Sequence, residues 1–162
     1  MTKIPTYDAS CSFDSAIGPI SLYASDDAVV YLTIGQPAAQ EMGKSKVLAE
    51  ATKQLKAYFA GKSKTLSFAV AANGTAFQEA VWGEIAKVGF GEITSYAEIA
   101  EAIGNPKAVR AVGGAVGANP VPLVIGCHRV LGASGQITGY SGGDGIPTKT
   151  WLLNHENIGF KP

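Results

Sequence analysis

The chain has 162 residues, 46% hydrophobic and 16% charged, with 13 basic side chains balanced by 13 acidic ones. This excludes an intrinsically disordered chain and a DNA binder that blankets phosphates with positive charge, and no apolar run reaches membrane-spanning length. Two cysteines, Cys11 and Cys127, are too few for a disulfide framework, and Met1-Thr2-Lys3-Ile4-Pro5 lacks the apolar core of a signal peptide. A reducing location, cytoplasmic or (in a eukaryote) nuclear rather than secreted, is therefore expected, with no membrane association.

Composition changes near residue 73: four of the 20 glycines precede it and sixteen follow. The expected division is 1–73 and 74–162. In the first part, Ser10 to Asp14 alternates weakly, and Ile20–Ala24 and Val29–Ile34 are β-rich runs joined by the turn Ser25-Asp26-Asp27. Val47, Leu48, Ala51, Leu55, Tyr58 and Phe59 then recur at helical spacing, with Gly61 placed to end the helix. Lys44, Lys46, Lys53, Lys56, Lys62 and Lys64 read as its solvated face. In the second part, Phe77, Ala80, Val81 and Ile85 mark a helix that Thr75 caps, with Gln78 at capping-box spacing. Ser95 to Gly104 predicts another helix, its capping box completed by Glu98, and Ala108 to Ala118 a third after the turn at Asn105-Pro106. Two short helices on a tight turn suggest a helix-turn-helix, although such pairs also occur as plain packing units. The small residues Ala108, Ala111, Gly113, Gly114, Ala115 and Gly117 weaken the last helix. Close approach of a DNA groove or close packing on the following segment would each explain them.

That segment, Val121 to Ile125, reads as a short buried strand ending at Gly126. Cys127 follows, beside His128 and Arg129. A thiolate is a strong nucleophile, and a cysteine next to an imidazole and a guanidinium is a candidate for chemistry. Arg129 cannot act as a base and is expected to brace the loop. No Cys and His cluster has zinc-ligand spacing and no phosphate loop is present, so neither metal nor cofactor is expected.

Asn119-Pro120, Cys127-His128-Arg129-Val130, Gly139-Tyr140-Ser141-Gly142-Gly143 and Lys149-Thr150-Trp151-Leu152-Leu153-Asn154-His155-Glu156 resemble, in order, the methylated-DNA–protein-cysteine methyltransferases. These are also known as O6-alkylguanine-DNA alkyltransferases. The likeness begins near Gly74 and covers the remaining half of the chain. It departs at Gly126, where the family normally has Pro, and at Asp144–Thr148, which looks like a slightly longer loop.

The resemblance implies an α+β protein. A small N-terminal sheet-plus-helix domain of RNase H-like type (1–73) would precede a mainly helical domain (74–162) with a helix-turn-helix that binds DNA and accepts the alkyl group. It implies irreversible, single-turnover transfer from O6-alkylguanine, and from O4-alkylthymine, in double-stranded DNA to Cys127 of a monomer. The target nucleotide must be flipped out of the duplex. In the family pattern Arg110 fills the gap, Tyr96 meets the rotated phosphate and assists the leaving guanine, and Ser95 and Ala111 join them as DNA contacts. Cys127 must be a thiolate, activated through a water by His128, which Glu156 holds from the other side. Asn119 acts as the hinge, Tyr140 and Ser141 cover the alkyl group, and Pro122 and Val130 line the pocket, with Trp151 and His155 in packing roles. Gly126 is expected to keep a proline-compatible φ, so that Gly126→Pro would stabilise the protein.

Two alternatives remain at this point. A non-catalytic alkyltransferase-like lesion binder would lack the cysteine. An unrelated cysteine hydrolase with a Cys–His–Glu site would turn over a small ester. From Gly74 onward six Lys and Arg face seven Asp and Glu, which predicts few phosphate contacts and modest salt dependence, with helix N-termini and backbone amides as the neutral means of holding DNA.

Overall fold

The computed structural model describes residues 4–162. The chain divides into two compact units, one ending at Ala72 and the other beginning at Asn73. The N-terminal unit is an antiparallel sheet of β1 (Ala9–Phe13), β2 (Ile20–Ser25) and β3 (Ala28–Ile34) in that order, with one helix, α1 (Lys46–Phe59). Asp26 and Asp27 both have positive φ, 50° and 65°. That mirror-image two-residue turn matches the right-handed twist of the strands, and aspartate tolerates the left-handed region better than most residues. Ser45 caps α1 by accepting the Leu48 N–H, and Leu48, Ala51, Leu55 and Tyr58 form its buried face. The six lysines around this helix are all exposed.

The C-terminal unit opens with α2 (Ala76–Ile85), on which Thr75 and Gln78 form the expected capping box. A two-residue strand, β4 (Thr94–Ser95), leads directly into α3 (Tyr96–Ala102), and α4 (Val109–Gly117) follows after a turn in which Gly104 has φ 80°. Ser95 accepts the Glu98 N–H, but the Glu98 carboxylate turns to the Thr94 hydroxyl at 3.1 Å, so the expected capping box is only half formed. The buried Trp82 of α2 donates its indole N–H to Ala115 O of α4 at 2.8 Å, and Val81, Ile85, Ile99, Val112 and Val116 fill the space among the three helices.

Three further elements are not legible as periodicity. A 3₁₀ turn, Cys127–Arg129, runs into β5 (Val130–Leu131), which pairs in parallel with β4; the last helix, α5, spans Ile146–His155. The residues expected to lengthen a loop contribute the first turn of α5, entered through Gly145 at φ 76° with Pro147 in that turn. Among the described residues no helix is long and apolar enough to cross a membrane.

Candidate active site around Cys127

The parallel pairing of β4 with β5 builds the site. Thr94 lies opposite Val130 and Ser95 opposite Leu131, so the residue that starts α3, Tyr96, is carried next to the turn holding Cys127. Val121–Ile125 is not the expected strand. It folds back on itself, with Ile125 N–H donating to Val121 O at 3.0 Å and Leu123 in the left-handed region at φ 77°. Leu123 is buried, and its packing supports a conformation that costs a branched side chain energy. Asn119 closes this turn: its Nδ2 donates to Ile125 O at 2.7 Å, and its Oδ1 accepts the Val121 N–H at 3.0 Å. Both bonds run forward to the same turn.

Behind Cys127 lies a buried carboxylate with four donors. Glu156, the residue that ends α5, receives Nε and Nη2 of Arg129 at 2.8 and 3.0 Å and Nε2 of His128 at 2.7 Å. The Gly91 N–H completes the set at 3.1 Å. Arg129 Nη1 also donates to Val88 O at 2.8 Å. The bidentate guanidinium neutralises Glu156, so the carboxylate is ionised and acceptor-only, and the proton in the His128 contact sits on Nε2. Burial pushes the His128 imidazole below its ordinary range, against the pull of Glu156. His128 is thus a neutral base with its lone pair on Nδ1, a fully buried atom that no hydrogen bond satisfies among the described residues.

Cys127 does not rest as the expected thiolate. Burial pushes its thiol above the usual range, opposed by the hydrogen bond from Asn119, the Lys149 ammonium and Tyr140. Lys149 stands in the sequence only as the first residue of the Lys149–Glu156 motif, with no role of its own. Here it is 1% exposed, and burial holds it down to about 8 despite the facing Cys127. Its Nζ donates to Val130 O at 2.7 Å and lies 3.5 Å from Gly139 O.

Cys127 opens onto a cavity of about 340 Å3 lined by Tyr96, Gly113, Val116, Gly117, Gly139, Tyr140 and Ser141. Pro122 and Val130, expected in its wall, are instead buried in the preceding turn and in β5. Trp151 and His155 stack at 4.7 Å. Among the described residues no cluster of His, Cys, Asp or Glu could hold a metal ion. A larger cleft of about 530 Å3 in the N-terminal unit holds Cys11 but none of these residues.

On α4, Arg110 and Ala111 are exposed, and Ser95 is half-buried at the start of α3. A Cβ added at Gly113, Gly114 or Gly117 would meet nothing within 4 Å. Intramolecular packing therefore does not explain these glycines. They leave free space on the helix face and at the cavity wall.

The family model described as 6-O-methylguanine DNA methyltransferase, DNA binding domain, matches residues 76–158, and that of the ribonuclease-like domain of the same enzymes matches residues 10–72. The chain belongs to this family. The methylated-DNA–protein-cysteine methyltransferase of Methanosarcina acetivorans is 40% identical over 156 residues, covering 89% of this chain and 95% of the relative. The constitutive enzyme of Bacillus subtilis is 48% identical over 114 residues, 70% of this chain and 68% of the relative. The crystal structure of Mycobacterium tuberculosis OGT in complex with DNA matches with a TM-score of 0.81 and 38% identity, covering 91% of this chain and 92% of that one.

Within this methyltransferase family pattern Gly126 remains a departure with structural content. Its φ of −72° suits proline, as expected, and its N–H makes no hydrogen bond among the described residues. The expected gain in stability does not follow, because a Cβ there would lie 2.9 Å from Nη1 and 3.2 Å from both Cδ and Cζ of Arg129. Glycine leaves room for the guanidinium that holds Glu156.

Proposed function

We propose that this protein repairs DNA by moving the alkyl group of O6-alkylguanine, and of O4-alkylthymine, onto Cys127, once per molecule. The observation that carries this reading is a buried cysteine at the floor of a nucleobase-scale cavity, backed by a neutral histidine whose other nitrogen is fixed on an ionised carboxylate. A lesion binder needs no such relay, and the family model matched over residues 76–158 supports a DNA-facing second unit.

Duplex DNA docks on the α3–α4 pair acting as a helix-turn-helix, with Ser95, Tyr96, Arg110 and Ala111 at the contact. The open glycine face of α4 admits the backbone closely. The lesion is flipped into the cavity at a cost of a few kcal/mol in unstacking, and the planar Arg110 side chain fills the gap. His128 Nδ1 takes the Cys127 proton through one bridging water. The sulfur attacks the alkyl carbon, an S–C bond forms and the C–O6 bond breaks. The electron pair stays with guanine, which is neutralised by a proton from the Tyr96 hydroxyl; the phenolate regains a proton from solvent and His128 releases the cysteine proton to solvent, so both side chains end neutral. The Lys149 ammonium stabilises the sulfur anion as it develops, and Tyr140 and Ser141 cover the alkyl group. No cofactor enters, and a monomer suffices.

Intact mass spectrometry after incubation with duplex DNA carrying O6-methylguanine tests this reading. One added methyl per chain is expected, mapped to the Cys127 peptide and absent in Cys127→Ala. Modification of Cys11, or repeated turnover, would overturn it.

A further inference from the structure

We propose that Thr138 is a positioning residue for the transfer: its hydroxyl donates to the Tyr96 hydroxyl and so leaves the phenolic proton free for the substrate in the Cys127 cavity. The inference rests on the reading above, in which Tyr96 meets the substrate. Thr138 belongs to none of the motifs that carry the family resemblance, and it does not line the cavity itself. Its Oγ1 is 2.8 Å from Tyr96 Oη, across 42 residues of sequence.

Two features fix the threonine. The backbone around it is pinned: Ile137 N–H donates to Lys161 O at 2.8 Å, and Gly132 N–H donates to Gln136 O at 2.7 Å. The adjoining Gly139 O faces the Lys149 ammonium. The side chain is pinned as well. A Cβ at Gly132 would sit 3.0 Å from Thr138 Cγ2, so the methyl group is seated over that glycine. A β-branched side chain has few rotamers, so seating the methyl sets the direction of the hydroxyl.

Each hydroxyl has one proton and can also accept. If Tyr96 donated to Thr138, its only proton would be occupied and the cavity would face an acceptor. With Thr138 as donor, the phenolic proton remains available, and accepting a bond polarises it further. Serine would preserve this arrangement, valine the shape without it.

The test is the rate of alkyl transfer to Cys127, read by intact mass with O6-benzylguanine and with a methylated duplex. Thr138→Val is expected to slow both reactions roughly tenfold, the scale for losing one transition-state hydrogen bond. Thr138→Ser should stay within about twofold of the parent, because the hydroxyl partner is kept. Adding Thr138→Val to Tyr96→Phe should cause no further loss, since the threonine acts through the phenol. Thr138→Ala carries the same expectation should Thr138→Val fold poorly. Parent-like rates in Thr138→Val, a silent Tyr96→Phe, or losses that multiply in the double variant would overturn the proposal. A parent protein that never modifies Cys127 would instead overturn the repair reading.

Discussion

Gly126→Ala is the substitution whose outcome the structure fixes most closely. In open space at this φ, alanine would stabilise by about 0.4–1 kcal/mol through the unfolded chain. Here the new Cβ is 2.9 Å from Arg129 Nη1 and 3.2 Å from two further atoms of the same side chain. The guanidinium cannot simply swing away, because it is held by two bonds to Glu156 and one to Val88 O. Overpacking a tight site costs about 1–3 kcal/mol, so at mid-range, about 2 less about 0.7, the net result is a loss of about 1 kcal/mol. Urea unfolding reads the stability, and single-turnover transfer from O6-benzylguanine reads the site. Transfer should slow as well, since displacing Arg129 disturbs the carboxylate that orients His128. Gly126→Pro carries the same Cβ and should show the same sign despite its suitable φ. A Gly126→Ala protein as stable and as fast as its parent would refute the reasoning and show that Arg129 gives way freely.

Arg110→Ala should slow repair of duplex DNA far more than reaction with free O6-benzylguanine, which needs no flipping; equal losses would point to damaged folding instead. Alkylation of Cys127 by iodoacetamide, followed by peptide mapping, should have its pH midpoint above that of free cysteine, and Lys149→Met should raise it further by removing the opposing ammonium. A midpoint near neutrality would contradict the buried-thiol picture. The folded protein holds His128 below its ordinary value, so the unfolded chain protonates first as pH falls. Stability should therefore be full above about pH 6.5 and decline below it, with a shallower decline in His128→Asn. Urea titrations across that range decide the point.

The sequence makes plain those parts of the molecule that local chemistry dictates. The Asp26-Asp27 hairpin, the Thr75–Gln78 capping box, the helix over Lys46–Phe59 and the Cys-His-Arg cluster all follow from neighbouring residues. What it conceals depends on distant partners. Strands of two residues carry no periodicity, so the β4–β5 pairing that sets Tyr96 beside Cys127 is visible only in three dimensions. The residues 121–125 look like a strand because valine and isoleucine favour extended backbone; the left-handed Leu123 and the Asn119 amide override that preference. α5 escaped notice because Thr148 and Lys149 take buried positions on it alongside Leu152 and Leu153, which erases a clean apolar stripe. Lys149 then proves to face the nucleophile.

The four bonds on Glu156 also have a meaning for how the protein opens. They gather the loop at Val88–Gly91, the turn at Cys127–Arg129 and the end of α5, stretches as much as 65 residues apart in sequence, around a single buried charge. None of these stretches can swing out alone without abandoning that charge in the interior, which is costly. They should therefore behave as one cooperative unit in native-state hydrogen exchange, with the amides of Gly91 and Glu156 sharing a common opening free energy. In such a unit the turn that carries Cys127 is held from behind by a collective set of bonds, and the nucleophile loses its place at the cavity only when the whole cluster lets go.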